Sequence, residues 1–404
     1  MMNRFTTTSF WKLLAAASAA GIAFSVGVFY GRARTVSNST PTESSSSYES
    51  VIDKASEVME LIDKYYIGDV DNTALGDGVA EGLIAGTGDR WSHYISAAEF
   101  DAYMEDMNNA YVGVGITIKQ LEETDDGFTV AEVTAGGPAE QAGVKTGDVL
   151  LQVEGESVLE LGMEETRNRV RGPEGSEVHM TFRQADGEHE LTIRRASIAV
   201  VNVTQELLDD GIGYVHIRNF DANCAEDTIA AIESLQKQGA EKFIFDVRFN
   251  PGGLKNELVK LLDYLLPEGP LFISEEYDGT ESTDRSDAKC VNFEMAVLVN
   301  GDSYSAAEFF AAALHEYEVA TVVGTQTCGK GYFQTTISLS DGSAIALSVG
   351  KYRTPKGVSL AEVGGLTPDQ VVEVTDEQYA DIYYQRLSHD QDPQLQAAIA
   401  ALQK

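Results

Sequence analysis

Residues 295–309 read MAVLVNGDSYSAAEF, and residues 319–334 read VATVVGTQTCGKGYFQ. In the first stretch an apolar run stops at Asn300-Gly301-Asp302, and a second apolar run opens at Ser305. A short apolar run bounded by turn residues reads as a strand buried on both faces, and the longer run behind it as a helix over 306–316. The second stretch opens the same way. An apolar run over 319–324 ends at Gly324, and Lys330 follows between Gly329 and Gly331. Strand, helix and strand in that order make an α/β layer.

The alternation continues on both sides. IGYVHI (212–217) precedes a helical run at 225–238, and KFIFDV (242–247) precedes one at 256–266. Downstream, QTTISL and AIALSVGKY return to strand alternation. Upstream, from about Val112, the short strands VGVGITI, FTVAEV, VLLQV, EVHMTF and HELTI are punctuated by Gly, Pro and Asp turns, which gives a small β-rich module ending near Arg195. Earlier still, Val51–Tyr66 carries apolar residues at helical spacing, and more helical pattern follows near 77–86 and 97–107. This helical region is expected to pack on something else, and a homodimer partner is the candidate.

Charge divides the chain. Of 404 residues, 29 are Lys or Arg and 64 are Asp or Glu, for a net charge of −35. Residues 1–42 hold four basic side chains (Arg4, Lys12, Arg32, Arg34) and no acidic one, so the remainder carries −39. A body this acidic has no basic surface to displace counterions from phosphates, so nucleic-acid binding is excluded. Three widely spaced cysteines, Cys224, Cys290 and Cys328, make neither a disulfide framework nor a zinc site. The pattern implies no metal and no cofactor.

The head reads as a membrane address. Leu13 to Tyr30 is eighteen residues without a charge, flanked by Arg4 and Lys12 before and Arg32 and Arg34 after. The run is longer than a signal-peptide core, so an uncleaved single-pass anchor is expected, with secretion after cleavage as the alternative. Either route puts the body outside the cytoplasm. The Ser/Thr-rich stretch at 35–49 cannot bury apolar surface and reads as a linker. The expected organisation is an anchor at 1–34, the linker, a helical region at 50–110, the β module at 111–196, an α/β core at 197–375 and a helical tail at 376–404.

Two resemblances sharpen this outline. Gly137-Pro138-Ala139-Glu140-Gln141-Ala142-Gly143 with Lys145-Thr146-Gly147-Asp148-Val149-Leu150 resembles the hallmark stretch of PDZ domains. The resemblance implies that Gly113, Val114, Gly115 and Ile116 form the carboxylate-binding loop and peptide-pairing strand. Consecutive N–H groups in a Gly-rich loop can hold a terminal carboxylate, and an exposed strand edge can pair with an extended peptide. Arg167, Arg169 and Arg171 read as solvated helix residues.

Asp246-Val-Arg248-Phe-Asn250-Pro251-Gly252-Gly253, the Ser305 and Lys330 stretches, Asp341-Gly342-Ser343-Ala344, Tyr352 to Gly357 and Thr367-Pro368-Asp369 occur in one order. Together they resemble the carboxyl-terminal processing peptidases, or tail-specific proteases. The resemblance implies a crotonase-like α/β core with the PDZ domain inserted. It implies Ser305 as nucleophile, Lys330 as its general base and Gln334 as the residue orienting the lysine. N–H groups of Gly252 or Gly253 and of Ala306 would hold the oxyanion. Protein or peptide substrates with free C-termini would be cleaved through an acyl-enzyme. A serine hydroxyl is a weak nucleophile until a base takes its proton, and a lysine serves as base only with a lowered pKa. Tyr304, Ala307 and Cys328 depart from the usual Ala, Ser and Phe.

The competing readings are specific. Ser305-x-x-Glu308 is also a capping box. Gly324-xxxx-Gly329-Lys330 looks like a phosphate loop but lacks the following Ser/Thr and helix. His315 reads as structural. A catalytically inert PDZ scaffold of the cell envelope is the alternative function.

Overall fold

The computed structural model describes residues 45–108, 110–120, 126–199 and 201–403. At its centre is a six-stranded sheet in the order Val203–Leu208, Ile212–Ile217, Lys242–Asp246, Glu294–Val299, Ala320–Gly324, Gln370–Val371. The first pair is antiparallel and the rest are parallel. Parallel strands need crossover helices that cover the sheet, which is why they read as near-continuous apolar runs. Alternation sorts their side chains. Phe243, Phe245, Val297 and Val299 enter the large core with the helices Cys224–Lys237, Lys255–Leu265 and Ala306–Glu316. Ile244, Ala296 and Leu298 face the other way and meet Leu395, Ala398 and Leu402 of the helix Pro393–Leu402.

That last helix is pinned by a buried ion cluster. Arg248 pairs with Asp246 at 2.6 Å and with Asp392 at 2.8 Å, and all three side chains are buried. Asp392 also caps the helix, accepting from the Gln394 and Leu395 N–H groups.

A second sheet lies beside the core. The strands His93–Ile95, Ala344–Arg353, Gly269–Glu276 and Glu281–Ser286 are neighbours in that order, and Tyr332–Ser338 also pairs with Ala344–Arg353. The hairpin of 269–276 with 281–286 was not anticipated, because ESTDRS is polar and mostly exposed. Nor was His93–Ile95, whose pairing with 344–346 places the N-terminal region on the sheet that follows Lys330.

The β module has its own sheet, Ile116–Lys119, Phe128–Val133, Val149–Val153, Glu177–Gln184 and Gly187–Arg194, and its own core around Val114, Phe128, Leu150, Val178 and Phe182. A ladder of Ala110–Gly113 with Ala196–Ala199 brings its two ends together, as an inserted module requires. The N-terminal helices are Ser45–Tyr65, Asn72–Ala85 and Phe100–Met107. No helix among the described residues is long and apolar enough to cross a membrane. The candidate anchor at 13–30 lies outside the described residues.

Candidate active site

The nucleophile candidate stands at a strand-to-helix turn. Ser305 has φ 57° and ψ −122°, a conformation L-residues rarely adopt, immediately before the helix Ala306–Glu316. Such backbone strain costs on the order of 1–3 kcal/mol and persists only where the surroundings enforce it. The Ser305 backbone is held on both sides, its N–H by Glu308 Oε1 and its carbonyl by the Phe309 N–H. Asn300 orders the turn before it: its Oδ1 accepts from the Phe249 and Asp302 N–H groups, and its N–H donates to Ser303 Oγ. Ser305 and Glu308 have the outline of a capping box, with Glu308 Oε1 accepting from the Ser305 N–H at 3.0 Å. Ser305 Oγ, however, is buried and has no hydrogen-bond partner of ordinary geometry among the described residues. The side chain read as a cap is thus left available for chemistry.

Lys330 arrives from the next crossing of the sheet. The strand Ala320–Gly324 ends beside Glu294–Val299, and Gly324 must be glycine: a Cβ there would sit 1.9 Å from the Val299 carbonyl oxygen. The chain then loops back, and a strand, Tyr332–Ser338, follows instead of the helix a phosphate loop requires. Lys330 is 0% exposed. Its Nζ donates to Gln334 Oε1 at 2.7 Å, and Gln334 Nε2 in turn donates to Ser348 Oγ at 2.9 Å. Burial drives the Lys330 pKa down to about 7; Glu308, Asp89 and Cys328 oppose the shift, and Arg90 adds to it.

Glu308 ties the two halves together. Its Oε1 accepts from the Ser305 N–H and from the Lys330 N–H at 2.7 Å. Its Oε2 accepts from the Gly329 N–H and the Thr327 hydroxyl, both at 2.8 Å. Burial raises the Glu308 pKa, and these four bonds hold it down. Tyr352 closes the floor by donating to the Lys330 carbonyl at 2.6 Å. Burial lifts that phenol well above its ordinary pKa, and its closeness to Ser305 works in the opposite direction.

The Asn250-Pro251-Gly252-Gly253 stretch lies against the nucleophile. A Cβ on Gly252 would fall 2.7 Å from Ser305 Cβ and 2.9 Å from the Ala306 nitrogen. The Gly252 N–H donates to Asn250 Oδ1 at 2.8 Å, so of the two expected donors in this pair it is the one already engaged. The N–H groups of Gly253 and Ala306 have no hydrogen-bond partner among the described residues.

Elsewhere the expected residues fall as follows. His315 pairs with Asp369 at 3.2 Å on the exposed end of its helix, away from Ser305. Cys328 is half-buried and accepts from Arg90 at 3.2 Å; burial pushes its thiol pKa up, which argues against a thiolate nucleophile. In the β module, Gly113 pairs with Ala196 and Ile116 with Val133. The Val114 and Gly115 carbonyls accept from Ala139 and Thr134, while their N–H groups have no partner among the described residues. Ile116–Lys119 is an edge strand. Arg169 pairs with Glu156 and Glu165, and Arg171 lies 3.6 Å from Glu105 and 5.0 Å over the Tyr111 ring, so both are partly covered and paired rather than simply solvated. Among the described residues no group of His, Cys, Asp and Glu could hold a metal ion.

Sequence reasoning missed Trp91, Ser92, Ser348 and the bridging role of Glu308. Only Glu308 carried a signal, its position three residues after Ser305.

Comparison with known proteins places these features in a family. Residues 211–372 match the model of peptidase family S41, and residues 129–184 match a PDZ domain model. The chain is 32% identical over 345 residues to the carboxy-terminal processing protease CtpA of Bacillus subtilis, covering 85% of this chain and 73% of that protein. It is 34% identical over 297 residues to the carboxyl-terminal-processing protease of Synechocystis sp., covering 72% of this chain and 68% of that protein. A solved structure assigned to the S41 proteases from Bacteroides fragilis superposes with a TM-score of 0.50 at 17% identity, over 84% of this chain and 92% of the other, a likeness of fold alone.

Proposed function

This chain belongs to peptidase family S41 as a PDZ-containing serine-type C-terminal processing peptidase, and from that premise we propose that it cleaves with a Ser305–Lys330 dyad. Neutral Lys330 takes the Ser305 proton as Oγ attacks the scissile carbonyl. The N–H groups of Gly253 and Ala306, both without partners among the described residues, receive the oxyanion. Lys330, now an ammonium, protonates the leaving amine, and an acyl-enzyme remains on Ser305. Water, deprotonated by the same lysine, releases the acyl product. Gln334 Oε1 fixes one Nζ hydrogen and so aims the lone pair. The observation that carries the reading is a lysine with no exposed surface, joined through the Glu308 carboxylate to a serine whose buried hydroxyl has no hydrogen-bond partner of ordinary geometry among the described residues; burial draws the lysine pKa down to about 7.

The PDZ domain is read as the tail sensor. The Val114 and Gly115 N–H groups would receive a substrate's terminal carboxylate, and the edge strand Ile116–Lys119 would pair with its backbone. The core is read as crotonase-like, on the strength of its parallel sheet with helices on both faces. The domain limits stated above, the anchor at 13–30 and an extracytoplasmic body belong to the same proposal. So does a homodimer through the helix Ser45–Tyr65, whose Val51, Ile52, Val58, Met59 and Leu61 are exposed.

The test is cleavage of an unstructured peptide by wild type, Ser305→Ala and Lys330→Ala. Loss of turnover in both variants supports the dyad, and unchanged turnover in both refutes it. Equal rates on free-acid and C-terminally amidated peptides would refute carboxylate recognition.

A further inference from the structure

The segment Asp89–His93 lies outside both family-matched regions, yet it roofs the lysine. The Trp91 ring lies with its centroid 4.7 Å from Lys330 Nζ and is itself only 8% exposed. Its other contacts hold it there. Arg90 sits 4.1 Å from the Trp91 ring centroid, and the Tyr304 ring, next to Ser305, is 6.2 Å away. The backbone beneath is anchored too. Asp89 accepts from the Trp91 N–H at 3.0 Å and from Ser92 Oγ at 2.6 Å, and Ser92 Oγ accepts from the Ser348 N–H at 2.9 Å. Ser348 is the residue whose hydroxyl holds Gln334. A single residue of the strand Ala344–Arg353 thereby sets both the tryptophan above the lysine and the glutamine beside it.

We propose that Trp91 is a positioning residue for the Ser–Lys reaction, its ring sealing Lys330 Nζ from water so that the amine stands free of its proton. The inference rests on the dyad reading and extends it to a part of the chain remote in sequence. Two effects of the ring oppose each other. An aromatic face attracts an ammonium, which favours the charged lysine. Exclusion of water disfavours it, and burial is the largest influence on Lys330, whose pKa falls to about 7. On this proposal the seal outweighs the attraction at this ring. The other groups facing the lysine are Glu308, Asp89, Arg90, Cys328, His93 and Tyr352, and none of them is removed by changing Trp91.

The experiment is the pH dependence of kcat/KM on a free-acid peptide for wild type, Trp91→Ala and Trp91→Phe, with Trp91→Gln replacing the alanine variant if that one fails to fold by circular dichroism. Wild type is expected to lose activity as pH falls through about 7, the lysine's pKa. Opening the roof with Ala or Gln moves that limb up by about 2 pH units, which cuts kcat/KM at neutral pH roughly 50-fold while the high-pH plateau is largely kept. Phenylalanine, which restores an apolar ring, returns the limb to near the wild-type position. A folded Ala or Gln variant whose limb stays put overturns the assignment of Trp91. A wild type with no such limb, or a Lys330→Ala variant with full turnover, overturns the dyad reading itself, so the two failures are distinct.

Discussion

Glu308→Gln isolates the carboxylate that joins the two halves of the site, and it separates two effects that work in opposite directions. The carboxylate accepts four hydrogen bonds, two on each oxygen. Glutamine keeps the shape but presents an NH2 to two of those donors. Two bonds to a buried charged acceptor are lost, about 3–6 kcal/mol of stability in total. Misplacement of Ser305 or Lys330 then lowers kcat/KM. The pH profile responds with a sign of its own. Glu308 is the leading influence holding the Lys330 pKa up against burial, so removing its charge lowers the lysine pKa further. The acid limb of kcat/KM is expected below the wild-type value of about 7 even as the plateau drops. The assay is urea unfolding together with a pH series on a free-acid peptide. An acid limb that moves up, or full activity with unchanged stability, would refute this account of Glu308.

Other expectations follow from the same contacts. Lys330→Met should abolish turnover yet stabilise the fold. The unfolded chain binds the lysine proton up to about 10.5 and the folded one only up to about 7, so the wild-type penalty is full below 7 and fades as pH rises to 10.5. The gain should be about 4 kcal/mol near pH 7 by urea unfolding and should vanish at high pH. Arg248→Met leaves Asp246 and Asp392 buried without their cation and should cost about 3–5 kcal/mol; unchanged stability would contradict the role given to the cluster. Gly252→Ala places a Cβ 2.7 Å from Ser305 Cβ at a φ of +97° and should reduce kcat/KM at least ~100-fold by displacing the nucleophile, with the fold retained by circular dichroism.

The central layer was legible in the sequence because its parallel strands are buried on both faces. Runs such as 295–299 have no polar face to confuse the pattern, and the observed strand Glu294–Val299 and helix Ala306–Glu316 follow it closely. The strand Glu281–Ser286 hid because its residues are all polar and mostly exposed, which in sequence look like a loop. The site was legible where its residues are local: Ser305 four residues after the turn glycine Gly301, and Lys330 four residues before Gln334. What escaped depends on register between distant segments. Trp91 meets Lys330 only because 93–95 pairs with 344–346. The Gly252 N–H proves engaged because Asn250 folds back on it at 2.8 Å, which a Gly-Gly pair in sequence does not disclose.

The most direct measurement is the titration of Lys330 itself, by NMR of the lysine side chain in the Ser305→Ala variant, which removes turnover and leaves the base in place. The account predicts an ammonium that loses its proton near pH 7. A lysine that stays protonated up to about pH 10, as an exposed side chain would, contradicts it.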